Sequence, residues 1–186
     1  MIRRTPFQPA HPNLVLIGYM ASGKSTIGWR CARVLRYRFR DSDTLVERRA
    51  DKPIRQIFEE EGEEAFRLME SEAIADLANS GSTVVATGGG APLNPDNVAR
   101  LRKTGVVILL NASVDTILTR CGSRQNRPLL AETDDPRGLI ERMLEERLPV
   151  YRRAAHMEVD TTDLASEEAV QKVLAAYREV LVGFKV

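Results

Sequence analysis

The chain has 186 residues, 43% of them hydrophobic, with 27 basic against 26 acidic side chains and a net charge of +1. That length and apolar content suffice for one well-cored domain with room for a small insertion, and the near-neutral balance gives no electrostatic reason to expect nucleic acid or a membrane surface as partner. No apolar run approaches the roughly 18 residues of a membrane span, and the start Met1-Ile2-Arg3-Arg4-Thr5-Pro6 lacks the apolar core of a secretory signal, so the expected location is the cytoplasm.

Residues 1–13 carry Pro6, Pro9 and Pro12 with little apolar content and read as a flexible tail; residues 14–186 read as a single domain. Leu14-Val15-Leu16-Ile17 is too short for a helix and suits a strand buried on both faces. Next comes Gly18-Tyr19-Met20-Ala21-Ser22-Gly23-Lys24-Ser25, with two glycines, a lysine and a hydroxyl at the spacing G-x-x-x-x-G-K-[ST]. A chance match to those four positions in a chain this long is on the order of one in a hundred. From Thr26 the spacing turns helical, with Ile27, Cys31, Val34 and Leu35 on one side. Strand, loop and helix start make a cradle for a polyphosphate, because small side chains let backbone N–H groups turn inward and the helix start adds partial positive charge. Lys24 is then within reach of the β- and γ-phosphates, and the Ser25 hydroxyl is the expected protein ligand of a Mg²⁺ that otherwise keeps its waters.

Tyr37-Arg38-Phe39-Arg40 alternates like a strand and ends in Asp41-Ser42-Asp43, two carboxylates spaced to point the same way from an extended segment. Beyond the carboxyl end of a parallel strand they would share a rim with the phosphate loop. A helix cap with a solvated neighbour is the alternative. The following section lacks a strand. Leu45 and Val46 begin a short helix, Pro53 opens another that Gly62 can close, and a longer one runs from Glu63 to near Gly81. Together, residues 43–80 read as an inserted helical lobe for a substrate. Arg67 and Glu70 share a helix face there and can equally be a surface ion pair.

Thr83-Val84-Val85-Ala86 is a third strand, and Gly88-Gly89-Gly90 at its carboxyl end lets the backbone pass close to a ligand, unless it is a plain flexible loop. Pro95 opens a helix that Gly105 ends, and Val106 to Leu110 is the clearest strand. Ser113 caps a helix carrying Ile117 and Cys121. Residues 120–135 then hold Arg120, Arg124 and Arg127 without a core face, as a lid would, or as a solvated loop. Asp135-Pro136 opens a helix that Pro149 bends or ends, with Arg147 near that point. Met157-Glu158-Val159 is a fifth strand, and Ser166 starts the last helix. Cys31 and Cys121 fit helix faces and read as buried, reduced thiols.

From about Leu14 to Leu181 the sequence resembles the shikimate kinases. Asp41-Ser42-Asp43 resembles their Asp-x-Asp, Phe66-Arg67 their substrate arginine, Gly88-Gly89-Gly90 their glycine triplet, Arg127-Pro128-Leu129-Leu130 their lid, and Arg147-Leu148-Pro149-Val150-Tyr151-Arg152-Arg153 their second substrate arginine. The resemblance implies an α/β fold of the nucleoside monophosphate kinase group, with five parallel strands in the order 2-3-1-4-5 and helices on both faces. It implies that residues Ala21 to Thr26, including Ser22, Gly23, Lys24 and Ser25, bind ATP together with Arg120 near the adenine and Arg127 over the phosphates. Asp43 would orient or deprotonate the 3-hydroxyl of shikimate, with Lys24 and Arg127 also catalytic. Arg67, Arg147 and Gly88, Gly89 and Gly90 would hold the substrate, while Ser25, and Asp41 through water, would hold one Mg²⁺ per subunit. A cytoplasmic monomer acting on ATP and shikimate is expected.

Two positions depart from that family's pattern: Ala21 stands where many members have glycine, and Thr161-Thr162-Asp163-Leu164 lacks the basic and proline residues associated with adenine contact. A gluconate kinase would share the loop but carry Cys-Ser-Ala-Leu-Lys in place of the triplet, and a nucleoside monophosphate kinase has no use for a carboxylate-reading arginine pair. A non-catalytic nucleotide-binding module would have lost Lys24, Asp43 or the lid arginine.

Overall fold

The computed structural model describes residues 11–121 and 133–183. Five strands, β1 (Asn13–Ile17), β2 (Arg38–Asp41), β3 (Thr83–Ala86), β4 (Gly105–Asn111) and β5 (Met157–Asp160), form one sheet in the order β2-β3-β1-β4-β5. Every pairing is parallel, with Leu14 opposite Val84 on one side and Val106 on the other. The central strands are apolar through Leu14–Ile17, Val84–Ala86 and Val106–Leu110 because both faces are covered. Their side chains alternate between two cores. Val15, Ile17, Val85, Val107 and Leu109 face one, and Leu14, Leu16, Val84, Ile108 and Leu110 face the other.

The first core is closed by helices α4 (Gly62–Ala78), α5 (Pro95–Thr104), α6 (Val114–Cys121) and α7 (Pro136–Ala154), the second by α1 (Lys24–Leu35) and α8 (Ser166–Gly183). Helices α2 (Ser42–Ala50) and α3 (Ile54–Glu60) pack with α4 around Val46, Ile57 and Phe66. Several helices start where a side-chain oxygen can accept from an otherwise orphaned backbone N–H: Asp41 for α2, Asn94 for α5 and Asp135 for α7.

The structure corrects two local expectations, for Val34 and for Asn13. Val34 is 54% exposed, because α1 packs through Ile27, Gly28, Cys31 and Ala32, with Gly28 against Leu16 and Phe39. Gly62 opens α4, with a positive φ of 85° at the junction with α3. Gly105 ends α5 as expected, capping it, and is also the first residue of β4, pressed against Asn13. Asn13 is itself a buried strand residue: its amide donates to Leu77 O and Ala78 O and accepts from Thr83 N–H, tying the end of α4 to β1 and β3. Pro149 does not end α7, because Tyr151 and Ala154 beyond it are buried in the first core and carry the helix to Ala154.

Candidate active site

The order reversal between β3, β1 and β4 opens a crevice beyond the carboxyl ends of the strands. A cleft of about 580 Å³ lies there, lined by Ala21, Gly23, Lys24, Ser25, Thr26, Asp41, Asp43, Gly89 and Arg120 among others. Gly18 must be glycine, since its φ is 143° and a methyl group there would run into Leu110 O. Ala21 has a φ of 58°, a left-handed conformation that costs a residue with a Cβ roughly 1–2 kcal/mol. Lys24 folds across the loop, its Nζ donating to Gly18 O at 2.8 Å and Tyr19 O at 2.7 Å. Ser22 is buried, with its hydroxyl unpartnered among the described residues.

The Ser25 hydroxyl donates to Asp41 Oδ2 at 2.8 Å, while Asp41 Oδ1 accepts from Asp43 N–H at 3.0 Å. Asp41 is therefore both the cap of α2 and a neighbour of the phosphate loop. This corrects the expected geometry: Asp43 does not project from an extended segment but sits in the first turn of α2. It reaches the cleft all the same. Ser42, between them, is buried and accepts from Gly88 N–H at 2.8 Å. A methyl group at Gly88 would collide with Asp43 Oδ1 and approach Glu70 Oε1 at 2.9 Å, so only glycine fits. Burial first, then the neighbouring charges of Asp41 and Glu70, push the Asp43 carboxyl up to about 6 against the opposing pull of Lys24.

Arg67 and Arg147 come to the glycine triplet from α4 and α7. A methyl group at Gly90 would overlap the Arg67 guanidinium, and one at Gly89 would lie 4.0 Å from Arg147 Nη1 and 3.8 Å from Tyr151 Oη. Arg67 Nη1 donates to Glu70 Oε2 at 2.8 Å and Nη2 to Glu63 Oε1 at 3.0 Å. The Glu70 bond is not a surface pair, since that side chain is 3% exposed. Tyr151 donates to Gly89 O at 2.6 Å. On the far side, Arg120 donates to Thr161 Oγ1 at 3.1 Å and Thr161 O at 2.7 Å, and the Thr161 hydroxyl lies 3.2 Å from Ser22 O. Leu164, Ser166 and Ala169 continue the cleft there. Arg127 and the lid residues 122–132 lie outside the described residues.

Sequence reasoning assigned no role to Ser42, Tyr151 or Thr161. Their polar atoms bond to backbone groups far away in the chain, which spacing alone does not reveal. Oxygen donors suited to a hard cation are present at Ser25 and Asp41. Among the described residues, no cluster of three or more His, Cys, Asp or Glu side chains could hold a metal by itself.

A phosphate-binding loop, a carboxyl raised toward neutrality beside it and two arginines about a glycine turn, all on this sheet, define a P-loop kinase for a small anionic acceptor. Residues 20–178 match the family model described as Shikimate kinase, and the chain belongs to that family. The curated shikimate kinase of Caldanaerobacter subterraneus subsp. tengcongensis is 44% identical over 165 residues, 89% of this chain and 95% of that protein. The shikimate kinase from Acinetobacter baumannii, solved in complex with shikimate, superposes with a TM-score of 0.85 at 36% identity, covering 93% of this chain and 94% of the other. A gluconokinase from Sinorhizobium meliloti 1021 shares the fold, with a TM-score of 0.62 at 20% identity, 95% of this chain and 97% of the other being covered. The chain is an ATP-dependent phosphotransferase.

Proposed function

We propose that this chain transfers the γ-phosphoryl group of ATP to the 3-hydroxyl of shikimate, giving shikimate 3-phosphate and ADP on the route to chorismate and the aromatic amino acids. The observation that carries the reading is the arginine pair about Gly89 and Gly90, on the same rim as Asp43. A planar guanidinium from each of two helices suits one carboxylate, and a substrate held by that group can turn a hydroxyl toward Asp43.

Phosphoryl transfer asks the protein for position and for charge opposite the moving phosphoryl group. Asp43 accepts the hydroxyl proton or orients the hydroxyl for attack. Lys24 leaves the Gly18 and Tyr19 carbonyls for the β- and γ-phosphates, and Arg127 closes over them. The backbone from Ala21 to Thr26 holds the phosphates, and Arg120, braced by Thr161, adjoins the adenine. Ser25, and Asp41 through a water, would hold the Mg²⁺ that accompanies ATP. That ion supplies neutralisation of the polyphosphate charge when bound. Residues 43–80 serve as the acceptor lobe and 120–135 as the lid of a single kinase domain that works as a monomer in the cytoplasm; among the described residues, no helix is long and apolar enough to cross a membrane. ADP release from ATP, measured with shikimate, gluconate or a nucleoside monophosphate offered separately, tests the reading. Turnover with shikimate alone is expected, and turnover only with either of the others overturns it.

A further inference from the structure

Tyr151 is fully buried, yet its hydroxyl reaches the acceptor site rather than the core. It stands one helical turn after Arg147 on α7, so the two side chains lie on one face. The hydroxyl donates to Gly89 O at 2.6 Å, and it shares the surroundings of Gly89 with the Arg147 guanidinium: a methyl group there would lie 3.8 Å from the one and 4.0 Å from the other. A phenol can serve both, because it has one proton to give and lone pairs to receive. Burial pushes its pKa up, so it remains the protonated donor at neutral pH.

The bond to Gly89 O has a second consequence. In a trans peptide the carbonyl and the following N–H point opposite ways. Holding Gly89 O therefore turns the Gly90 N–H away from Tyr151, and that N–H has no hydrogen-bond partner among the described residues. Gly90 itself lies against Arg67. One buried hydroxyl thus sets the Arg147 fork and the peptide between the two arginines.

We infer that Tyr151 is a positioning residue of the acceptor site, whose hydroxyl presents the Arg147 guanidinium and the Gly89–Gly90 peptide to the carboxylate of the substrate. The inference rests on the shikimate reading above. The test is Tyr151→Phe, which keeps the ring and removes the hydroxyl, with thermal unfolding run alongside. The KM for shikimate rises about tenfold, the size of one charge-assisted hydrogen bond. The KM for ATP stays within about twofold, since the phosphate loop is untouched. In an Arg147→Ala background the same change costs clearly less than in the wild type, because one of the two groups being positioned is already gone while the Gly89–Gly90 peptide remains. An unchanged KM for shikimate, an equal rise for ATP, or full additivity with Arg147→Ala overturns the inference. If the variant does not fold, the wild-type chain carrying 3-fluorotyrosine answers by fluorine NMR: the Tyr151 signal, one of four, moves when shikimate saturates the site, and a stationary signal overturns the inference. Failure of the wild type to phosphorylate shikimate would refute the functional reading instead, so the two failures are distinct.

Discussion

Asp43 provides a test in which stability and activity move in opposite directions. Its carboxyl is pushed from the ordinary 3.8 up to about 6, chiefly by burial and then by Asp41 and Glu70. A raised folded-state pKa means that the protonated form is the one folding favours. The associated stability is fully present below the unfolded value near 4 and is lost as the pH rises through about 6. Above that, the folded protein carries a carboxylate that would be better solvated in the unfolded chain. At 1.36 kcal/mol per pKa unit, the shift amounts to about 3 kcal/mol. Asp43→Asn keeps the shape and an acceptor for the Ser42 hydroxyl but carries no charge. The variant should therefore be more stable than wild type at pH 8 by up to about 3 kcal/mol, with the advantage shrinking toward zero at pH 4. Urea unfolding at both pH values measures this. Turnover should fall about 10²–10⁴-fold, the usual loss on removing a general base, and wild-type kcat/KM should drop on the acid side of about pH 6. An equal gain in stability at pH 4 and pH 8 would falsify the electrostatic account, and a wild-type profile flat through pH 6 would remove Asp43 as the titrating base.

Arg67→Ala should weaken shikimate binding about tenfold to a hundredfold, with Arg67→Lys recovering little of it and ATP binding near wild type, as read by calorimetry. It should also narrow the preference for shikimate over its neutral methyl ester; a mutant that keeps the full wild-type margin shows that Arg67 does not read the carboxylate. Ala21→Gly should raise stability by about 0.5–1 kcal/mol, since a left-handed φ suits glycine and the relief exceeds the added freedom of the unfolded chain; a drop in the urea midpoint counts against it. Glu63→Gln should lower the shikimate KM by up to about fivefold, the worth of one exposed ion pair, whereas Glu70→Gln should raise it. The same sign in both steady-state assays would contradict the division of roles.

The apolar runs and the loop motif made the architecture legible, because a strand buried on both faces and a glycine-rich turn each have one local explanation. Asp41, Asp43, Arg67, Arg147 and the glycine triplet were legible as residues but not in their geometry. Sequence spacing put Asp43 on a strand, whereas Asp41 ends β2 as a cap and α2 begins at once. The caps Asp41, Asn94 and Asp135, and the glycines Gly62 and Gly105 that follow α3 and α5, were marked by residue type, while Val34 was misjudged because neighbours distant in the chain decide which side of a helix is covered. Tyr151 and Thr161 were hidden for the same reason: each acts through backbone carbonyls that only the fold brings near, Gly89 for one and Ser22 and Asn111 for the other.

If Arg67 reads the acceptor's carboxylate as proposed, the partners it already has explain why an anionic acceptor would be taken up. In this structure its guanidinium serves both Glu63 and Glu70, so a substrate carboxylate must displace one of them or share the fork. The two bonds differ in cost. Glu63 is 67% exposed and returns to water when released, giving up about 0–1 kcal/mol. Glu70 is buried beside Gly88 and Asp43, and leaving its charge unpaired there would cost about 3–5 kcal/mol. On the proposed reading the substrate carboxylate would therefore trade with Glu63, while Glu70 keeps its hold on Nη1 and fixes the fork in place. A neutral ligand at this site has no such exchange to offer, since it would displace an ion pair and return only a weaker hydrogen bond. On that reading, selectivity for a carboxylate would come from an exposed glutamate that can be replaced and a buried one that cannot.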